Sequence, residues 1–308
     1  MATDLQVVWH PDYEVDIGPH VFPTRKYRLI RDRLLAEQTL SEQNLLTPEP
    51  ATDEQVTLVH TEAYIRKIKT GSLSRQEQLT LEIPFSQDLQ RAMWLCAGGS
   101  VQTARNACGL GVAVHLGGGF HHAFADHGEG FCLINDIAIA LRVLLRDGTI
   151  ERAAVIDCDL HHGNGTASIF ARDESVFTFS IHQQHNYPAW KPPSDIDVGL
   201  EDGTGDEEYL EILRRHLPEI LDRQRPDLVF YLAGADPYCE DQLGGLSLTM
   251  EGLRTRDALV LEVFRKNAVP VAIAPAGGYA ARQQDTVEIH CSTIREAARI
   301  CPSEASER

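Results

Sequence analysis

Short apolar runs rich in β-branched and aromatic residues recur along this chain. Each is separated from the next by a stretch long enough for a helix. Gln6-Val7-Val8-Trp9, Val112-Ala113-Val114, Ala153-Ala154-Val155-Ile156, Val176 to Ile181, Leu228 to Ala233 and Val269 to Ala274 are too short for helices and read as buried strands. Between and beyond them, Ser86 to Ala107, Phe131 to Leu145 (ended by Asp147-Gly148), Asp206 to Leu221 (with Asp206 as N-cap), Thr249 to Asn267 and Glu288 to Ile300 read as helices. This alternation predicts an α/β fold, an open parallel sheet with helices on both faces. Such a sheet places its functional groups at the carboxyl ends of its strands.

Composition narrows the class. At 308 residues the chain is long enough for one large α/β domain or two small ones. It contains no internal repeat, low-complexity tract or long linker, and is read as a single domain over 1–308. With 43% hydrophobic and 24% charged residues it reads as a soluble globular protein. No apolar run approaches a membrane span, and the first residues lack the basic and apolar regions of a signal peptide. Seven scattered cysteines, odd in number and never in C-x-x-C spacing, suit reduced thiols and a cytoplasmic location. A net charge of −17 without a Lys/Arg cluster argues against direct nucleic-acid binding and reads as surface solubility. The oligomeric state is not legible.

The chemistry concentrates after one strand. In Asp157-Cys158-Asp159-Leu160-His161, side-chain alternation puts Asp157, Asp159 and His161 on one face and Cys158 on the other, as packing. Two carboxylates and an imidazole together are costly unless a cation sits among them, and a divalent metal with O and N ligands is the natural candidate. Four further strand ends carry polar residues in glycine-rich or turn contexts: Gly117 to Ala123 with His121-His122, Ser180-Ile181-His182, Gly234-Ala235-Asp236, and Gly277-Gly278-Tyr279. Five such ends in one parallel sheet point to a shared active site. His162 and His182 are read as hydrogen-bonding neighbours of that site rather than ligands.

The segments GGGFHHA (117–123), GFCLINDIAIA (130–140), VIDCDLHHGNGT (155–166), FSIH (179–182), AGAD (233–236) and GGY (277–279) together resemble the histone deacetylase superfamily, within the arginase–deacetylase fold. The stretch Asp241 to Leu246 is similar to class IV members and their bacterial relatives. The resemblance implies a zinc-dependent deacetylase in which Asp159, His161 and Asp236 hold the metal; Fe(II) or Co(II) also suits this ligand set. It implies His122 as general base and leaving-group acid, His121 as its electrostatic neighbour hydrogen-bonded to Asp157, Asn164 as the partner of His122, and Tyr279 as donor to the oxyanion. A substrate tunnel is implied at Gly130, Phe131, Tyr187, Leu243 and Gly278, with the Gly130 carbonyl accepting the substrate N–H. Arg25 is placed in an acetate-release pocket. A structural potassium ion is implied at Asp157, Asp159, His161, Ser180 and Ile181.

Two features bear on the reaction and substrate. The dimetal ureohydrolases of the same fold need bridging carboxylates where this chain has Gly163 and Tyr238, so a single-metal amidohydrolase is favoured. The glutamate gatekeeper of acetylpolyamine deacetylases corresponds to Leu243, which gives no reward to a second ammonium. The expected substrate is therefore an acyl-lysine peptide or protein. A small acetylated amine, or a catalytically silent acyl-lysine-binding module, are the alternatives. Asn164 stands where class I enzymes carry Asp, which lowers the basicity of His122.

Overall fold

The computed structural model describes residues 3–301. The strands are β1 (Gln6–Val8), β2 (Leu45–Leu46), β3 (Val112–His115), β4 (Ala153–Asp157), β5 (Val176–Gln183), β6 (Ile196–Leu200), β7 (Leu228–Leu232) and β8 (Val271–Ala274). They form one parallel sheet in the order β2-β1-β3-β8-β7-β4-β5-β6. The helices are α1 (Lys26–Ala36), α2 (Asp53–Val56), α3 (Glu62–Thr70), α4 (Arg75–Leu81), α5 (Gln87–Leu110), α6 (Asp136–Arg146), α7 (Asn164–Phe170), α8 (Asp206–Gln224), α9 (Met250–Lys266) and α10 (Gln283–Ile300).

The sheet is covered on both faces because its central strands are apolar on both faces. In β4, Ala153 and Val155 pack into the core shared with α3, α5 and α6. Ala154 and Ile156 pack into the other core, with α1, α8, α9 and α10. The alternation continues past the last ladder residue: Cys158 and Leu160 join the second core. It is this continuation that turns Asp157, Asp159 and His161 the other way. Each fully buried Val, Leu or Ile contributes about 1.5–3 kcal/mol relative to exposure, so the direction of this segment is strongly specified.

Behind the strand ends lies a fully buried ion pair. The Arg256 guanidinium meets Asp257 (Nη2 to Oδ1, 2.8 Å) and donates to the carbonyls of Cys158 (3.3 Å) and Gly234 (2.6 Å). Asp257 accepts in turn from the Tyr231 hydroxyl (2.5 Å) and Thr293 Oγ1 (2.6 Å). Arg256 thereby clamps the chain exits of β4 and β7, the two segments that carry the carboxylates of the site.

Three helix starts differ from the sequence reading. The last helix, read from Glu288, begins five residues earlier, at Gln283. The helix expected from Phe131 begins at Asp136, with Asn135 as its N-cap accepting from the Ala138 amide. Residues 131–135 are instead non-helical, with Leu133 and Ile134 packed into the core, and Gly130 (φ +51°) and Phe131 (φ +69°) adopt the left-handed conformation. Asp206 is the first residue of α8 rather than its cap; Gly205 holds that position. The Asp206 carboxylate instead accepts from the Thr249 backbone (2.9 Å) and hydroxyl (2.7 Å), tying α8 to the start of α9. Thr249 also caps α9 by accepting from the Gly252 amide (2.9 Å). Thr249→Ala is expected to lower stability by about 1–2 kcal/mol. Urea unfolding should show a lower midpoint with an unchanged slope.

Candidate active site

The five strand ends singled out by their motifs belong to β3, β8, β7, β4 and β5, which are consecutive in the sheet. Asp159 and His161 follow β4, and Asp236 follows β7; one ligand atom from each lies within 4.8 Å of the others. His161 Nδ1 stands 3.2 Å from Asp159 Oδ1 and 3.3 Å from Asp236 Oδ2. Short turns hold the set: the Asp159 amide donates to Asp157 Oδ1 (3.0 Å), and the His161 amide to Asp159 Oδ1 (3.0 Å). The Leu160 amide fixes Asp236 Oδ1 (2.9 Å), and the Gly277 amide fixes Asp159 Oδ2 (2.7 Å). A Cβ at Gly277 would collide with both carboxylates, so the backbone closes the site tightly on that side.

These residues fit a divalent ion. Asp236 is fully buried, and its Oδ2 has no hydrogen-bond partner. Burial, and then the Asp159 charge, push its carboxyl up to about 7. Crowded buried carboxylates, one with an oxygen that accepts no hydrogen bond, call for a cation, and an Asp/His/Asp donor set suits a borderline metal such as zinc. Gly163, where a dimetal site would need a carboxylate, has no room for a side chain: a Cβ there would strike Asp157 Oδ2.

His121 and His122 sit in the loop after β3, both buried. The His121 Nδ1–H donates to Asp157 Oδ2 (2.7 Å). Burial opposes charge on His121, but Asp157 and Asp159 overcome it and raise its pKa to about 9. His122 Nδ1 is 2.7 Å from Asn164 Oδ1, and its Nε2 stands 3.1 Å from His121 Nε2. Burial, followed by the charges of His121 and His161, holds His122 well below the usual imidazole range. The pair thus divides into a charged partner and a neutral one able to accept a proton.

A cavity of about 420 Å³ opens above these groups, lined by His122, His161, Tyr279, Gly130, Phe131, Tyr187 and Leu243. Burial first, then Asp159 and Asp236, raise the Tyr279 phenol far above its ordinary pKa, so it keeps its proton. Gly278 is not on this wall: a side chain there would face Ala235 and Thr286, behind Tyr279. His20, Glu82 and Asn186 complete the lining; the sequence reading notes Glu82 as a carboxylate near the rim but gives none of the three a place in the site. Glu82 is exposed at φ +62°, and His20 packs edge-on to Phe131 with ring centroids 4.9 Å apart. Asp241 is also missed; it accepts from the Tyr279 amide (2.6 Å) and the Leu243 amide (2.9 Å), fixing donor and wall together.

Arg25 is exposed and lies outside this cavity. The interior cation is its neighbour Lys26, fully buried, whose ammonium donates to the Ala276 carbonyl (2.5 Å). Burial lowers Lys26 to about 8 against the pull of Asp236, Asp159 and Asp241. Ser180 pairs in register with Asp157 across β4 and β5, while Ile181 turns its side chain into the core. His162 and His182 form a separate group with Asp197. His162 Nε2 meets Asp197 Oδ1 (3.0 Å) and His182 Nδ1 meets Ser180 Oγ (2.9 Å), tying β6 to the strand ends.

The fold and this constellation define an α/β protein of the arginase–deacetylase class. A family model described as the histone deacetylase domain matches residues 20–294, and the chain belongs to that family. It is 40% identical over 294 residues to an uncharacterized protein of Picosynechococcus, covering 95% of this chain and 98% of the relative. It is 31% identical to a probable deacetylase of Archaeoglobus fulgidus (80% and 73% covered) and 29% identical to histone deacetylase 2 of Arabidopsis thaliana (89% and 74% covered). Among solved structures, an HDAC homologue complexed with SAHA superposes with a TM-score of 0.77 at 26% identity, covering 94% of this chain and 84% of that one. The HDA15 HD domain superposes equally well (TM-score 0.77, 22% identity, 95% and 90% covered) and supports the fold. No helix among the described residues is long and apolar enough to cross a membrane.

Proposed function

We propose that the chain is a single-domain, zinc-dependent deacylase that hydrolyses the amide of Nε-acyl-lysine. The observation that carries this reading is the buried Asp159/His161/Asp236 set, with its orphaned carboxylate oxygen, beneath a cavity that His122 and Tyr279 also line. A divalent ion held there supplies Lewis acidity toward the acyl oxygen and the attacking water. His122 Nε2 takes a proton from that water and returns it to the leaving lysine nitrogen. The acyl carbon gains the hydroxyl as the C–N bond breaks, so the products are a carboxylic acid and a free amine. His121, charged against Asp157, offers the positive field beside the base. The Tyr279 hydroxyl donates to the acyl oxygen as it gains charge. Phe131 and Tyr187 flank a slender acyl-lysine arm, with the Gly130 carbonyl accepting its N–H. Potassium at Asp157, Ser180 and the backbone of Asp159, His161 and Ile181 belongs to the same reading, as does Fe(II) as a substitute for zinc. Seven free cysteines support a reducing, cytoplasmic setting.

One observation favours a second substrate class. Glu82 puts a carboxylate at the cavity mouth, where an acetylated polyamine would place its remaining ammonium. Against it, Leu243 lines the wall with no charge to offer. An acetyl-lysine peptide should therefore exceed acetylspermidine in kcat/KM by about tenfold or more. A panel of acetyl-lysine, longer acyl-lysines and acetylpolyamines, with a hydroxamate control, tests this; the reverse ranking would move the assignment to small acetylated amines. Failure of every substrate by the metal-loaded protein would favour a silent binding module.

A further inference from the structure

The base does not end at Asn164. Asn164 Nδ2 donates to Glu129 Oε1 (2.8 Å), and the Tyr187 hydroxyl donates to the same oxygen (2.8 Å). His127 Nε2 lies 3.5 Å from the other carboxylate oxygen. Glu129 precedes the Gly130–Phe131 turn, and its side chain is only 19% exposed. An ionised carboxylate accepts and cannot donate. It therefore permits only one orientation of the Asn164 amide, with the NH₂ toward Glu129 and the oxygen toward His122. An amide oxygen facing His122 Nδ1 requires that nitrogen to carry the proton, which leaves the lone pair on Nε2, the same assignment that the charged His121 ring favours from 3.1 Å away on the other side. The opposite orientation would present NH₂ to Nδ1, move the imidazole proton to Nε2 and leave the residue unable to accept one.

We propose that Glu129 is a positioning residue for the His122 base: through the Asn164 amide it holds the Nδ1 side of the imidazole in the tautomer that His121 favours from the Nε2 side, and through Tyr187 it locks one tunnel wall to the same carboxylate. The inference rests on the hydrolase reading above and extends it. In class I members a carboxylate touches the base directly; here the negative charge sits one residue further out, and a neutral amide relays it. His127, Tyr187 and Asn164 together overcome the effect of burial and hold Glu129 below its ordinary pKa.

A charge-relocation cycle tests this. Four proteins are compared on an acyl-lysine peptide that the wild type turns over: wild type, Glu129→Gln, Asn164→Asp and the double variant. Glu129→Gln should lower kcat about tenfold with KM within about twofold, because an amide at 129 no longer dictates the Asn164 orientation. Asn164→Asp, although it puts the stronger partner on His122, should also lose about tenfold, because two carboxylates would meet at hydrogen-bond distance. The double variant should return to within about threefold of wild type, since the amide introduced at position 129 can donate to the carboxylate introduced at position 164, and the charge now sits on the base. Asn164→Asp is thus harmful in the wild-type background and beneficial in the Glu129→Gln background, a reversal that a purely structural role would not produce. Melting temperature and zinc content accompany each protein. If Glu129→Gln fails to fold, Asn164→Asp against Asn164→Ala decides: the inference expects Asp to be no better than Ala. Equal effects of Asn164→Asp in both backgrounds, or an Asn164→Asp enzyme faster than wild type, would overturn the role of Glu129 while leaving the hydrolase reading intact. A wild type that turns over no acyl-lysine would instead remove the reading on which it rests.

Discussion

Asp236→Ala is expected to purify folded but nearly metal-free, retaining less than about a tenth of stoichiometric metal, and with no measurable turnover. Asp236 is the one member of the set contributed from β7, so without it only the β4 segment remains to bind. Its Oδ1 is held by the Leu160 amide, which points Oδ2, without a hydrogen-bond partner, at His161. Alanine removes that oxygen, on the side of the site that the Gly277 backbone closes. Elemental analysis beside circular dichroism checks the expectation. A folded variant holding one zinc per chain would show that the ligand set is wrong.

Tyr279→Phe is expected to lower kcat about 10²–10³-fold, equivalent to about 2.7–4 kcal/mol of transition-state stabilisation, with metal content and KM little changed. The phenylalanine should keep the native position. Asp241 holds the Tyr279 backbone amide, Gln242 donates to its carbonyl (2.8 Å), and the ring packs edge-on to Phe131 with centroids 5.9 Å apart. Only the hydroxyl is lost, and it is a protonated donor throughout the working pH range. Steady-state kinetics on an acetyl-lysine peptide measures the effect. A variant within about threefold of wild type would remove the oxyanion role from Tyr279.

Much of this arrangement was legible because it rests on period-two alternation and strand order. Ala154, Ile156, Cys158 and Leu160 take one core, and the polar residues between them therefore share the other direction. That rule needs no coordinates, even though the hydrogen-bonded strand stops at Asp157. The glycine-rich strand ends were equally visible, and their grouping follows once the strands are adjacent. What stayed hidden depends on contacts between distant segments. β6 is a half-exposed edge strand, Ile-Asp-Val-Gly-Leu, with little apolar signal. The start of α6 reads too early in the sequence because Leu133 and Ile134 continue an apolar pattern, while the left-handed turn at Gly130 and Phe131, held by the carbonyls of Thr80 and Leu81, interrupts it. Arg25 and Lys26 illustrate the cost of a single position: adjacent residues at a helix start point roughly 100° apart, so one faces solvent and the next the interior. Glu129 carries no motif of its own, and Asp241 is visible only as the start of the 241–246 stretch; each acquires its role only where two loops meet.

The central claim is that Asp159, His161 and Asp236 hold one divalent ion that the chain uses to cleave an amide. Its most direct measurement is turnover of an acetyl-lysine peptide by the purified protein before chelation, after complete chelation, and after readdition of one equivalent of zinc. The account predicts acetate release that falls to background on chelation and returns with a single equivalent per chain. Release that persists in the fully chelated protein would contradict it.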